Sequence, residues 1–206
     1  MMKKCPKCGS TRVAPILYGM PAFDEEMARQ LDNEELYLGG CCISDCDPEY
    51  HCFVCGRDVG SPPILLSRKG TEDYRDIVTS VRFCDGGFLI GRNEVTIKKT
   101  ASGAVVEVWP YYINSLSDAR IELSDKEWRK LLDRLYCKLY VHEWKKKYEP
   151  EDIILDGEQW ELEIRLTGRR VRNCYGDNAF PAYWKELKQT FQTFLKRRKK
   201  LNEGEQ

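Results

Sequence analysis

Two short cysteine knuckles constrain this chain more than any other feature of its sequence. Cys5-Pro6-Lys7-Cys8-Gly9 stands near the start, and Cys52-Phe53-Val54-Cys55-Gly56 follows after a long intervening segment. The two-residue spacing lets both sulfurs of a pair face one point. The glycine after each pair permits the tight turn that aims backbone N–H groups at the sulfurs. Two such pairs complete a tetrahedral four-sulfur shell. The pattern therefore predicts one structural zinc ion per chain, held by Cys5, Cys8, Cys52 and Cys55. A closed shell leaves no position for a reacting water. Iron in the same geometry is the alternative, because four thiolates do not by themselves separate the two metals.

The remaining cysteines sharpen that reading. The chain has 10 in 206 residues, seven of them before Gly60, with only Cys84, Cys137 and Cys174 after it. The basic start, Met1-Met2-Lys3-Lys4, has no apolar run behind it and does not read as an export signal. No apolar stretch approaches the roughly 20 residues of a membrane span. Paired C-x2-C motifs in such a chain point to metal rather than disulfides and to a reducing cytoplasm. Cys41, Cys42, Cys46 and His51 lie between the knuckles and are a candidate second metal set. One tetrahedral site needs only four ligands, so these are expected to be spare. Cys84, Cys137 and Cys174 are scattered and read as packing residues.

Gly60-Ser61-Pro62-Pro63 reads as a boundary, since proline lacks an N–H and fixes its backbone. The expected organisation is a metal-binding segment over 1–60, with a long insert between the knuckles, and an α+β domain over 64–206 that folds without it. In the insert, Phe23, Met27 and Leu31 recur at helical spacing behind Asp24-Glu25-Glu26, which suits a helix N-terminus.

Beyond the boundary, Val81 and Phe83, Phe88 and Ile90, and Val95 and Ile97 alternate as strands do. Val105–Trp109 is rich in strand formers. Ser124-Asp125-Lys126-Glu127 is a capping box. Behind it Trp128, Leu131, Leu132, Leu135 and Leu139 share one helical face, and the helix is expected to run on toward Tyr148. Trp160, Leu162, Ile164 and Leu166 alternate strictly with polar residues. Pro181 suits the first turn of a last helix striped by Trp184, Leu187, Phe191, Phe194 and Leu195. The fold class read from this order is α+β: an N-terminal zinc ribbon, then an antiparallel sheet packed against two amphipathic helices.

Tyr18-Gly19-Met20-Pro21, Leu38-Gly39-Gly40-Cys41 and Asp47-Pro48-Glu49-Tyr50-His51-Cys52, taken with the first knuckle, resemble a group of small bacterial zinc-ribbon proteins. The resemblance covers roughly the first quarter of the chain and implies a ribbon fold without implying an activity. Asp156-Gly157-Glu158-Gln159-Trp160-Glu161-Leu162 and Gly176-Asp177-Asn178-Ala179-Phe180-Pro181 look like part of another bacterial domain of unassigned function.

No nucleophile elbow, phosphate loop, dinucleotide loop or H-E-x-x-H is present, and no catalytic residue is assigned. Asp177 and Asn178 are the candidate binding loop. The competing reading is a turn that caps the following helix. Lys196, Arg197, Arg198, Lys199 and Lys200 are candidate phosphate contacts. The blander reading, a solvated helix end where cations suit the dipole, is preferred. Lys plus Arg equals 33 and Asp plus Glu equals 33, so no net charge draws the chain to nucleic acid. The favoured function is a binding or scaffold module for another protein. A nucleic-acid-binding ribbon is the alternative, and an enzyme with an unrecognised site comes last. No membrane association and no small-molecule ligand are inferred.

Overall fold

The first knuckle leads straight into a small sheet. β1 (Val13–Leu17) is followed by α1 (Glu25–Asp32), β2 (Tyr37–Leu38), β3 (Tyr50–Cys52) and β4 (Arg57–Val59). The strand order is β2-β1-β3-β4, with β1 and β2 parallel and the other pairs antiparallel. The computed structural model describes residues 4–44, 47–61, 64–67, 70–87, 91–109, 120–152 and 157–204. Phe88, Ile90, Cys46, Pro62, Pro63 and Asp156, used above, lie outside the described residues. Asp24 caps α1 by accepting from the Met27 N–H at 2.8 Å, as its acidic start predicts.

β5 (Ile64–Ser67) and β6 (Gly70–Asp73) form a two-stranded sheet, and α2 (Tyr74–Ile77) follows. The larger sheet takes β7 (Val78–Gly87), β8 (Gly91–Lys99), β9 (Gly103–Trp109) and β10 (Ile121–Ser124). After α3 (Asp125–Asp133) it takes β11 (Lys147–Tyr148), β12 (Glu158–Leu166) and β13 (Val171–Asp177), and α4 (Trp184–Gly204) closes the chain. The order is β10-β9-β8-β7-β12-β13-β11, antiparallel except where β11 joins β13 in parallel.

The period of two fixes which face is buried. Ile121, Val106, Ile97, Val81 and Ile164 stand in one cross-strand row, and Val108, Val95, Phe83, Leu162 and Cys174 in the next. All ten are buried, and α3 and α4 pack on this sheet. Phe191 of α4 stacks on Phe83 at 4.6 Å between ring centroids. The fold is thus α+β, a small cysteine-bearing sheet followed by a larger sheet packed with helices, as the sequence pattern predicts.

Two helix expectations need correction. The helix capped at Ser124 does not run to Tyr148. It ends as α3 at Asp133 and widens into a π turn over Arg134–Lys138. Tyr140 then adopts a left-handed backbone (φ 53°), and a 3-10 turn covers Val141–Glu143. His142 therefore sits on this turn, and Lys147 on a strand. Pro181 does not open the last helix, because Tyr183 is left-handed too (φ 59°) and α4 starts only at Trp184.

The chain divides into two compact units that interleave along the sequence. The first contains residues 1–72, 135–144 and 181–183. The second contains 73–134, 145–180 and 184–206. The apolar stripe from Trp128 to Leu139 is accordingly shared, with Leu135 and Leu139 belonging to the first unit.

Candidate metal centre

The small sheet brings the knuckles together. β3 ends on Cys52 and β4 begins just after Gly56, so the second knuckle is the turn of a hairpin. β1 follows the first knuckle and pairs with β3, setting Val13 opposite Cys52. Gly9 and Gly56 hold left-handed backbones at φ 77° and 64°, which a side chain would strain. Their N–H groups donate to the carbonyls of Cys5 and Cys52 at 2.9 and 2.8 Å, and the Lys7 N–H points at the Cys5 sulfur at 3.4 Å.

The four sulfurs of Cys5, Cys8, Cys52 and Cys55 all lie within 4.8 Å of one another. Cys5 and Cys55 are 3.8 Å apart, and Cys8 and Cys52 3.6 Å. A tetrahedral ion with metal–sulfur bonds of about 2.3 Å needs sulfur–sulfur edges of about 3.8 Å. The donor set therefore fits one metal ion in a closed shell. Cys5 and Cys52 are fully buried beside Val59, with Val13, Tyr50 and Tyr140 packed around them. Cys8 is exposed.

The thiols do not ionise alike. Burial pushes Cys5 up to about 12. At Cys52 burial is outweighed by the amide N–H groups of Cys55 and Val54 and by the neighbouring thiols, which bring it down to about 7.

The histidine of the insert is engaged away from the knuckles. The His51 ring stacks on Tyr37 at 3.7 Å and sets Nδ1 2.7 Å from the Asp58 carboxylate. Cys41 and Cys42 are exposed. Among the described residues, the two knuckles are the only group able to hold a metal ion with three or more such ligands.

Local patterns in the sequence do not reveal which distant residues complete this unit. Lys7 Nζ donates to the Glu143 carbonyl at 2.6 Å and lies 3.9 Å from its carboxylate. Glu143 is buried, its carboxyl pushed upward by that burial, and it accepts from the Gly60 N–H at 2.6 Å. The Tyr183 hydroxyl donates to the Lys4 carbonyl at 2.7 Å and accepts from its N–H at 3.0 Å. Tyr140 and Tyr183, the two left-handed tyrosines, meet with ring centroids 6.1 Å apart. A left-handed backbone at a bulky residue is costly and persists only where surrounding contacts hold it. Here Tyr140 packs against the cysteine cluster and Tyr183 bonds the Lys4 backbone.

In the second unit, Asn178 serves the turn. Its backbone is left-handed (φ 49°), and its side chain accepts from the Glu158 N–H and donates to Asp177, each at 2.8 Å. Asp177 borders a cavity of about 820 Å³ shared with Arg92, Gln159, Glu161, Asn173 and Tyr175. The cations there face carboxylates already, Arg92 facing Glu161 at 3.4 Å and Lys147 facing Glu149 at 2.5 Å.

The basic tail is not a uniform patch. Arg198 turns inward, is buried, and donates to the Val108 carbonyl. Arg197 is exposed and lies 3.7 Å from the Glu127 carboxylate, and Lys196 and Lys200 face solvent. The Lys199 side chain lies outside the described ones. No helix among the described residues is long and apolar enough to cross a membrane. No protein-family model, curated protein or solved structure matches this chain.

Proposed function

We propose that this chain is a zinc-stabilised binding module whose partner is another protein. The observation that carries the metal reading is the group of four sulfurs, two of whose edges match those of a tetrahedral thiolate site and whose four protein ligands leave no open coordination position. Such an ion organises structure rather than chemistry. Thiolate ligands of this kind suit the reducing cytoplasm.

The protein reading is preferred to nucleic acid because the basic tail is partly engaged within its own unit. Arg198 is bonded to a backbone carbonyl and Arg197 neighbours Glu127. Affinity purification of the full chain after nuclease treatment tests the module reading, together with metal analysis. The expected result is about one zinc per chain and a protein partner that is lost when zinc is removed. Iron with its visible absorption would replace the metal assignment. Retention only of salt-sensitive nucleic acid would replace the partner assignment.

A further inference from the structure

Only the two ends of the insert between the knuckles, at Ala14 and His51, reach the interior among the described residues. Among the described residues from Pro15 to Tyr50, none is buried. Yet α1 is strongly amphipathic, with Met27 and Leu31 one turn apart and Phe23 just before its Asp24 cap. Phe23 is 68% exposed, Met20 92% and Ile43 74%. Ile43 packs beside Gly19, next in the chain to Met20, with its terminal carbon 3.6 Å from where a Gly19 side chain would begin. An amphipathic helix is stabilised chiefly by covering its apolar face, and a short one is marginal alone. Apolar side chains this exposed, grouped on one insert, mark a contact surface.

Charge selects what covers it. From Gly19 to Tyr50 the sequence carries nine acidic side chains and a single basic one, Arg29, in a chain whose total charge is balanced. Arg29 is itself paired with Glu26 at 2.6 Å. Glu25, Asp32, Glu35 and Glu49 are all exposed. Nucleic acid and anionic lipid are repelled by such a surface. A second copy in a two-fold contact would set this acidic patch against itself. A cationic protein surface is attracted. Half-buried Met27 and Leu31, one turn apart on α1, with exposed Phe23 just ahead of the Asp24 cap, suit the groove of another helix.

We infer that the insert face around Met20, Phe23, α1 and Ile43 is a docking surface for a partner protein's amphipathic helix, one with lysine or arginine flanking an apolar stripe. This rests on the protein-binding reading above and names its surface and partner chemistry.

The test uses the zinc-loaded full chain and a labelled synthetic helical peptide with a leucine stripe flanked by lysines, followed by fluorescence anisotropy. The peptide is expected to bind and to weaken as salt rises. The double variant Phe23→Ser with Ile43→Ser should weaken binding by about tenfold or more. It should leave zinc content and melting unchanged, because neither position is buried. Unchanged binding by the double variant overturns the surface. Equal binding of a lysine peptide with a serine stripe, or of a glutamate-flanked leucine peptide, overturns the partner chemistry. Self-association that the double variant abolishes would make a second copy the occupant and overturn the proposal. If the peptide does not bind but the chain still retains a nuclease-resistant protein partner, the docking inference falls and the module reading stands. If neither is seen, both fall.

Discussion

The two units of this molecule are held together by different physics. The second unit buries a continuous apolar sheet face, with Phe83, Ile97, Leu162 and Ile164 against Trp128, Leu187 and Phe191. Burial of that kind contributes about 1.5–3 kcal/mol for each large side chain. The first unit is centred on a cluster of Cys5, Cys52 and Val59, and its long insert buries only Ala14 and His51 among the described residues. It draws in Tyr140, Glu143 and Tyr183 from far along the chain to close around the cysteines. On the metal reading proposed above, a unit with so small an apolar centre depends on its ion, whereas the sheet unit does not.

The strongest way to break this contrast is to remove a ligand. Structural zinc contributes about 10–16 kcal/mol to the folding of small metal domains. Cys8→Ser or Cys55→Ser should therefore abolish tight metal retention and unfold the first unit, while the second keeps a cooperative thermal transition. Unchanged zinc content in Cys8→Ser would remove that residue from the ligand set. Lowering pH should act in the same direction, since protons compete with metal for the thiolates. The converse substitution is Phe191→Ala. It should cost about 3–5 kcal/mol in denaturant titration, by lost burial and a residual cavity. Metal content should not change.

These contrasts also explain what could be read from the residues alone. The knuckles are legible because two cysteines three positions apart must face one point. The capping box is legible because Ser124 and Glu127 satisfy each other within one turn, and both bonds are present. The strand β12 is legible because Trp160, Leu162 and Ile164 alternate without interruption. Each of these is a local signal. Lys4 with Tyr183, and Gly60 with Glu143, are contacts across most of the chain and have no periodicity to announce them. The same cause hides the early end of α3. The leucine stripe continues past Asp133, but Leu135 and Leu139 are claimed by the other unit.

A milder substitution sharpens the role of the distant segments. Tyr183→Phe removes both hydrogen bonds to the Lys4 backbone from a buried site, a loss of about 1–2 kcal/mol. It should raise the sensitivity of the first unit to chelator and leave the second unit's transition in place. A truncated chain beginning at Ile64 tests the linear division at 60–64. It should keep the cooperative transition of the sheet but leave Glu143, Tyr140 and Tyr183 without their partners.

The smallest effect concerns the start of α3. Ser124→Ala should destabilise the second unit by about 1 kcal/mol through loss of the cap. The Glu127 carboxyl is held below its usual range by the Ser124 N–H and hydroxyl, which bond its ionised form. Its contribution is present above the ordinary carboxylate pKa and fades as pH falls through the depressed value. Glu127→Gln should flatten that acid-side decline, as read by denaturant titration across pH.

Hydrogen exchange on the full chain, with and without chelator, tests the central claim most directly: that one metal ion orders three separate stretches of sequence. Chelation should deprotect residues 4–61 together with 135–144 and 181–183, while β7, β8, β9 and β12 keep their protection. Deprotection confined to 4–61, or spread evenly over the whole chain, would contradict it.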